Sequence, residues 1–122
     1  MITPTQAELE ILNILWKSGE ARVPDVHALL SQQKDIGYTT TLKAMQVMEQ
    51  KGLLQRRREG RSHVYAPAIA EDATKNTLLS RFVESTFDGS RSRMVMQLLG
   101  SQAVSPEELA EIRNFLQNLE EN

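Results

Sequence analysis

A chain of 122 residues, 40% hydrophobic and 25% charged, has the composition of one ordinary globular domain with room for a helical appendage. It contains no cysteine, which excludes disulfides, thiolate metal sites and a cysteine nucleophile and is compatible with a reducing cytosol. The N-terminus lacks the pattern of a signal peptide, and no apolar run approaches the roughly 18 residues of a membrane span, so we expect a cytoplasmic protein without membrane insertion.

The distribution of charge favours a nucleic-acid partner for the first half of the chain, although the formal net charge is −2. Residues 1–69 carry nine Lys and Arg against seven Asp and Glu, whereas residues 70–122 carry five against nine. The densest basic stretch runs from Lys51 to His63 and contains a single acid, Glu59. Positive charge concentrated on one face allows a mildly acidic chain to bind DNA.

The first 69 residues are predicted to form a DNA-binding winged helix-turn-helix. Thr3 and Pro4 predict the start of the first helix, as its cap and its first residue. Apolar residues three and four positions apart predict two more helices, after which the period changes to that of a hairpin with a Gly-containing basic turn. The predicted elements are helices at about 4–17, 24–33 and 39–51 and strands at about 53–57 and 63–66.

The remaining residues, 70–122, are predicted to be purely helical and to form a dimerisation domain. Helices are expected at about 70–87 and 92–99, and Ser105 and Pro106 predict the start of the last one. So short a tail cannot hide its many large apolar side chains, so two copies are expected to share a core. The alternative is that the tail folds back and completes a monomeric core. The expected dimer contacts are Leu78, Leu79, Phe82, Val83, Leu98, Ile112, Phe115 and Leu116.

The third predicted helix carries the residues expected to read bases in the major groove. A winged helix-turn-helix places the start and outward face of this helix against base edges. Thr39, Thr40 and Lys43 occupy those positions. Their hydroxyl, methyl and ammonium groups can contact bases or phosphates, so we expect these three residues to read bases. The alternative is that Thr39 and Thr40 merely cap the helix.

The DNA backbone is expected to meet Tyr38 and three wing arginines, Arg57, Arg58 and Arg61, because the planar guanidinium can make two bonds to one phosphate. The alternative is a solvated charged turn.

The two histidines, His27 and His63, are far apart in a chain without cysteine and predict no metal site. No catalytic or cofactor-binding motif is present, so we expect neither an enzyme nor a cofactor.

Five segments of the chain are distinctive when taken together and in order. They are Thr5-Gln-Ala-Glu-Leu-Glu-Ile-Leu, Leu15-Trp16, Gly37-Tyr38-Thr39-Thr40-Thr41-Leu42, Met48-Glu-Gln-Lys-Gly-Leu-Leu and Val64-Tyr65-Ala66-Pro67. With them the chain resembles the penicillinase and methicillin-resistance repressor family (BlaI/MecI/CopY), and the resemblance extends over nearly the whole chain. It implies a bacterial transcriptional repressor with a winged-helix domain, a helical dimerisation domain and palindromic operators. It also implies that Thr39, Thr40 and Lys43 lie in the base-reading helix and Arg58 and Arg61 in the wing.

The chain departs from the family pattern in two places. Members that sense copper end in a cysteine cluster, and this chain has no cysteine. Members that sense β-lactams are cut by a metalloprotease partner at an Asn-Phe bond, and the corresponding position here is Gln97-Leu98. Cleavage by a membrane sensor-protease or another protease therefore stays open. Two other functions also stay open: a ligand-sensing winged-helix regulator, and a winged helix that docks on protein.

Overall fold

A computed structural model describes residues 3–101 and 103–122 of the chain. The described residues form a mainly helical fold with a small antiparallel sheet, and the expected class, a winged helix-turn-helix followed by helices, is confirmed. The elements in chain order are α1 (Gln6–Ser18), α2 (Val23–Leu30), α3 (Tyr38–Gln50), β1 (Leu54–Glu59), β2 (Ser62–Pro67), α4 (Glu71–Phe87), α5 (Arg91–Ser101) and α6 (Pro106–Glu121).

The core of the winged helix lies where α1, α2 and α3 pack against the hairpin. Leu12, Leu15, Met45 and Leu53 are fully buried there, and Tyr65 brings β2 into the same cluster. Because one side of α3 is fixed in this core, its opposite side is left to solvent.

The first helix begins two residues later than Pro4, and the predicted cap is wrong. Thr5 is the N-cap: its hydroxyl accepts the backbone N–H of Glu8 at 3.2 Å, and the Glu8 carboxylate accepts the N–H of Thr5 at 2.9 Å. This reciprocal pair of bonds satisfies two N–H groups at the helix end, which Thr3 and Pro4 cannot do. Pro4 is instead buried ahead of the helix.

The wing is a hairpin whose two-residue turn sets the pairing of its strands. The strands pair from Leu54 with Pro67 to Glu59 with Ser62, so each strand reaches further toward the turn than the sequence predicts. Gly60 has a φ of 64°, which suits the first central residue of a type II′ turn. A third strand contributes one residue: Ala21 exchanges two backbone hydrogen bonds with Tyr65, at 2.8 and 2.9 Å.

The chain divides into two compact units, Met1–Leu78 and Leu79–Asn122. The start of α4 belongs to the first unit, where the Trp16 indole N–H donates to the carbonyl oxygen of Ile69 at 3.1 Å and Lys75 lies over the Trp16 ring. The division into a DNA-binding domain 1–69 and a dimerisation domain 70–122 stays a prediction. In the second unit, Ser105 caps α6 as predicted, accepting the N–H of Glu108 at 3.1 Å.

Candidate nucleic-acid interface

One stripe of α3 is free of the core and carries polar side chains along its whole length. The buried side of the helix is formed by Thr41, Met45 and Met48. Residues three and four positions apart share a face of a helix, and Thr39 and Lys43 lie opposite the buried side. Both side chains are exposed, as is Thr40 at the edge of the stripe.

The same stripe continues through two glutamines that are not among the residues predicted to read bases. Gln46 and Gln50 follow Lys43 at intervals of three and four residues and are exposed. A glutamine amide can form two hydrogen bonds with an adenine edge. The signal was present in the sequence, as the i+3 and i+7 positions counted from Lys43.

The start of α3 has no side-chain cap, so the capping alternative for Thr39 and Thr40 is wrong. The N-cap is Gly37, and no side chain bonds to the open N–H groups there. Thr39 and Thr40 lie inside the first turn, with their side chains exposed. A helix start in this state offers both hydroxyl groups and backbone N–H groups to a nucleic acid.

His27 fixes the start of α3 from the neighbouring helix. Its Nδ1 lies 2.9 Å from the hydroxyl oxygen of Thr41, which is completely buried. Its ring also meets the Tyr38 ring edge to face, with centroids 5.4 Å apart. This contact orients Tyr38, a predicted backbone contact that is exposed at the first residue of α3.

The strand pairing places neighbouring arginines on opposite faces of the wing. Side chains alternate along a strand, and directly paired residues share a face. Arg58 pairs with His63, which lines a groove of about 220 Å³ together with Tyr38 and Gln46 of α3. Arg58 also shares its face with Arg56, which pairs with Glu49 of α3, so Arg58 lies on the face that turns toward α3. Arg57 pairs with Val64 and lies on the other face.

The arginines on the two faces also differ in whether they form ion pairs with acidic side chains. Arg57 donates to Glu20 and to Glu59, each at 2.7 Å, and Arg22 is a second cation on Glu59. The hydrogen bond from Arg57 and, to a smaller extent, the one from Arg22 lower the pKa of the Glu59 carboxyl. The hydrogen bonds to Glu20 and Glu59 in turn raise the pKa of the Arg57 guanidinium.

The remaining predicted cations have no acidic partner within residues 3–101 and 103–122. Arg58 donates only to the carbonyl oxygen of Gly60, at 3.1 Å, and Arg61 occupies the turn itself. Lys43 likewise forms no ion pair in this part of the chain. Lys43 on the exposed face of α3 and Arg58 and Arg61 in the wing thus remain available for phosphates.

The last three helices expose most of the side chains expected at a dimer interface. Leu79, Phe82, Leu98, Phe115 and Leu116 are at least half exposed, with Leu98 at 63% and Phe115 at 62%. Leu78 and Ile112 are partly buried, and Val83 is buried within the single chain, so Val83 offers little surface to a partner. Four further apolar side chains of these helices are exposed but are not among the predicted dimer contacts: Val95, Met96, Leu109 and Leu119.

The position that matches the family's cleavage bond, Gln97-Leu98, lies inside α5 with both side chains exposed. Within the described residues, no group of three His, Asp or Glu is placed to hold a metal ion. None of the helices described has the length and apolarity to cross a membrane.

Comparison with known proteins gives a family match over most of the chain. The family model described as penicillinase repressor matches residues 4–118. The penicillinase repressor of Bacillus licheniformis is 27% identical over 113 residues, covering 93% of this chain and 88% of that protein. The methicillin resistance regulatory protein MecI of Staphylococcus aureus (strain N315) is 23% identical over 112 residues, covering 92% and 91% respectively.

Two solved structures also match the fold of this chain. The solution structure of the DNA binding domain of the repressor BlaI matches with a TM-score of 0.52 and 31% identity, over 56% of this chain and 83% of that one. The crystal structure of the YusO protein from Bacillus subtilis matches with a TM-score of 0.52 over 96% of this chain and 74% of that one. At 18% identity, the second match shows the fold alone.

Proposed function

The chain belongs to the penicillinase repressor family, and from this premise we propose that it represses transcription as a homodimer that binds two-fold symmetric operator DNA. It is a winged-helix transcriptional repressor and not an enzyme. In the proposal, α3 enters the major groove and reads bases through Thr39, Thr40 and Lys43. Tyr38, Arg58 and Arg61 bind the flanking phosphates.

The observation that carries this proposal is that exposed hydroxyl groups and unpaired cations lie near the uncapped start of α3, among the described residues. Exposed hydroxyl groups and Lys43 lie on the free side of a helix whose other side is locked in the core. The hairpin brings Arg58 to the face that turns toward this helix, without an acidic partner among the described residues. Cations in this state can replace the counterions of DNA, which is the main source of affinity for the duplex.

Dimerisation supplies the second half of the proposed mechanism. The exposed apolar side chains of α4, α5 and α6, such as Phe82, Leu98 and Phe115, would leave water if two copies packed together. A two-fold dimer presents two recognition helices to two half-sites, and the linkage raises affinity through effective concentration. A dimer seated on an operator that overlaps a promoter would block the polymerase in the bacterial cytoplasm.

Release of the operator would follow from any event that separates the dimer, and cleavage between Gln97 and Leu98 is one such event in the proposal. Their exposure favours access, but both residues lie within α5. A protease needs an extended substrate, so α5 would have to open locally before cleavage. The partner would be a membrane sensor-protease or another protease of the same cell.

The test is selection of bound duplexes from a random pool, followed by affinity measurements with Lys43→Ala and Arg61→Ala. The wild type should select a two-fold symmetric sequence. Lys43→Ala should relax preference at one or two base pairs in each half-site and weaken binding by about 1–3 kcal/mol. Arg61→Ala should weaken all sequences about equally and reduce the salt dependence by about 0.9.

The two variants control for each other, because each removes one cation that has no ion pair among the described residues. If Lys43→Ala left base preference intact, α3 would not be reading the groove through this residue. A wild type that fails to bind random duplex at low salt would instead favour a winged helix that docks on protein.

A further inference from the structure

The arginines of the wing hairpin differ in their ion pairs. Arg57 pairs with two carboxylates of the same chain, whereas Arg58 and Arg61 form no ion pair among the described residues. We infer that Arg57 positions the wing instead of binding DNA: with Glu20, Arg22 and Glu59 it forms a wing brace that holds the tip of the hairpin where Arg58 and Arg61 meet the duplex. The inference rests on the proposed function and gives Arg57 a different role from the one predicted from the sequence.

The wing brace crosses the hairpin on the strand face opposite Tyr65 and Arg58, and Arg22 and Ser62 also reach the edge of the groove that Tyr38 lines. Ala21 pairs with Tyr65, so its two neighbours, Glu20 and Arg22, lie on the opposite face from Tyr65. Arg57 reaches Glu20 across β2, and Arg22 reaches Glu59 in the same way. Val64 belongs to β2, which lies between β1 and the strand residue Ala21, and its side chain is on the same face as the brace. Only 5% of Val64 is exposed. The stems of charged side chains can cover such an apolar residue.

Outside the wing brace, the tip of the hairpin is held mainly by bonds within itself. The Ser62 hydroxyl donates to the carbonyl oxygen of Glu59 at 3.2 Å, and Arg58 donates to that of Gly60 at 3.1 Å. The third strand provides a single bridge, at Ala21, and beyond it the two strands pair only with each other among the described residues. A two-stranded ribbon is marginally stable by itself. Arg22 extends the support toward the turn, because its Nε donates to the Ser62 hydroxyl at 2.9 Å while its guanidinium also pairs with Glu59. Both residues that flank the turn are therefore held by one side chain.

Arg57 is poorly placed to bind a phosphate. Its Nη1 donates to Glu59 and its Nη2 to Glu20, so both ends of the guanidinium are in use. A phosphate would have to displace two carboxylates, on the strand face opposite Arg58. Arg58 and Arg61 have no such competitors among the described residues.

The first test uses the sign of the effect of Glu59→Gln on DNA affinity. Removing a negative charge beside a polyanion should strengthen binding if electrostatics alone matter. The wing brace requires the opposite: Glu59→Gln should weaken binding, by about two- to five-fold for a broken surface ion pair. The matched control is Glu10→Gln, which removes an acid paired with Lys34 elsewhere in the first unit and should not weaken binding. Unchanged or stronger binding by Glu59→Gln would overturn the inference.

The second test compares the salt dependence of Arg57→Gln with that of Arg61→Gln. A cation bound to a phosphate contributes about 0.9 to the slope of log affinity against log salt. Arg61→Gln should lose this contribution, whereas Arg57→Gln should weaken binding about two- to five-fold and keep the wild-type slope. A loss of about 0.9 from the slope with Arg57→Gln would show that Arg57 binds DNA after all.

Amide hydrogen exchange of the free protein tests the wing brace without DNA. Exchange at residues 58–63 should be faster in Glu59→Gln than in the wild type, while exchange in α1 should be unchanged. Equal exchange rates at the hairpin would contradict the brace even if the wild type bound DNA as proposed. Conversely, faster exchange in a protein that failed to bind duplex would refute the proposed function and leave the brace intact.

Discussion

Glu8 is the acid whose two oxygens join the start of α1 to the end of α3. One oxygen accepts the backbone N–H of Thr5 at 2.9 Å, and the other accepts the ammonium group of Lys51 at 2.7 Å. Burial by itself would raise the pKa of Glu8, but the bonds from Lys51 and Thr5 outweigh it and lower the pKa. The charged form is therefore favoured in the folded chain.

This lowered pKa predicts a stability that depends on pH. The contribution of Glu8 is complete above its unfolded pKa of about 4.3 and is lost as the pH falls through the lower folded value. Glu8→Gln should reduce the free energy of unfolding at pH 7 by about 1 kcal/mol and flatten its decline below pH 5. Denaturant unfolding between pH 7 and pH 3 measures this, with Glu10→Gln as a nearly neutral control. An unchanged decline in Glu8→Gln would refute the assignment.

The residues of the candidate site differ in how far the sequence could place them. Thr39, Thr40 and Lys43 follow from the period of a helix, which is visible in the chain. The contrast between Arg57 and Arg58 does not, because it depends on the strand register and on Glu20, which is 37 residues away from Arg57. A run of three arginines therefore predicted a basic wing but not which face each side chain would take.

At the scale of single elements, the hairpin depends on one glycine in a left-handed conformation. Gly60 has a φ of 64°, and an added Cβ would meet no atom within 4 Å, so the cost of a side chain is purely conformational. Gly60→Ala should destabilise the fold by about 1 kcal/mol. Gly100→Ala, in α5 and outside the left-handed region, should instead be stabilising, by up to about 1 kcal/mol.

Thermal unfolding at one protein concentration compares the two alanine variants. The expected result is a lower midpoint for Gly60→Ala and a higher one for Gly100→Ala. If Gly60→Ala were neutral, the turn would be able to change type without loss, and its role in setting the strand pairing would be smaller than the register suggests.

The order and type of the elements were predictable, whereas their ends depended on local bonds. Apolar spacing identified the helices, and the change of period identified the hairpin. The start of α1 was misplaced because Pro4 is a common first helical residue, while the stronger signal was the capping box formed by Thr5 and Glu8. The second helix ends at Leu30, before 31–33, where the chain makes a turn.

At the scale of the whole molecule, α6 provides the clearest test of the dimer. Ile112, Phe115, Leu116 and Leu119 follow one another at helical spacing, and the last three are at least half exposed in the single chain. Such a face is costly to leave in water and is typical of an interface. A second copy is the partner that a two-fold operator would require.

Leu116→Asp should therefore convert the protein to a monomer, because it would place a charge in the apolar contact. Sedimentation equilibrium measures the loss of the dimer, and operator affinity should fall about a hundred-fold or more as the two recognition helices become unlinked. Asn114→Asp is the matched control, since it adds the same charge at an exposed polar position of α6 that is not three or four residues from any member of this face, and it should leave the dimer intact. A dimeric Leu116→Asp would exclude this face of α6 from the interface, whereas a monomer with wild-type affinity would separate dimerisation from DNA binding.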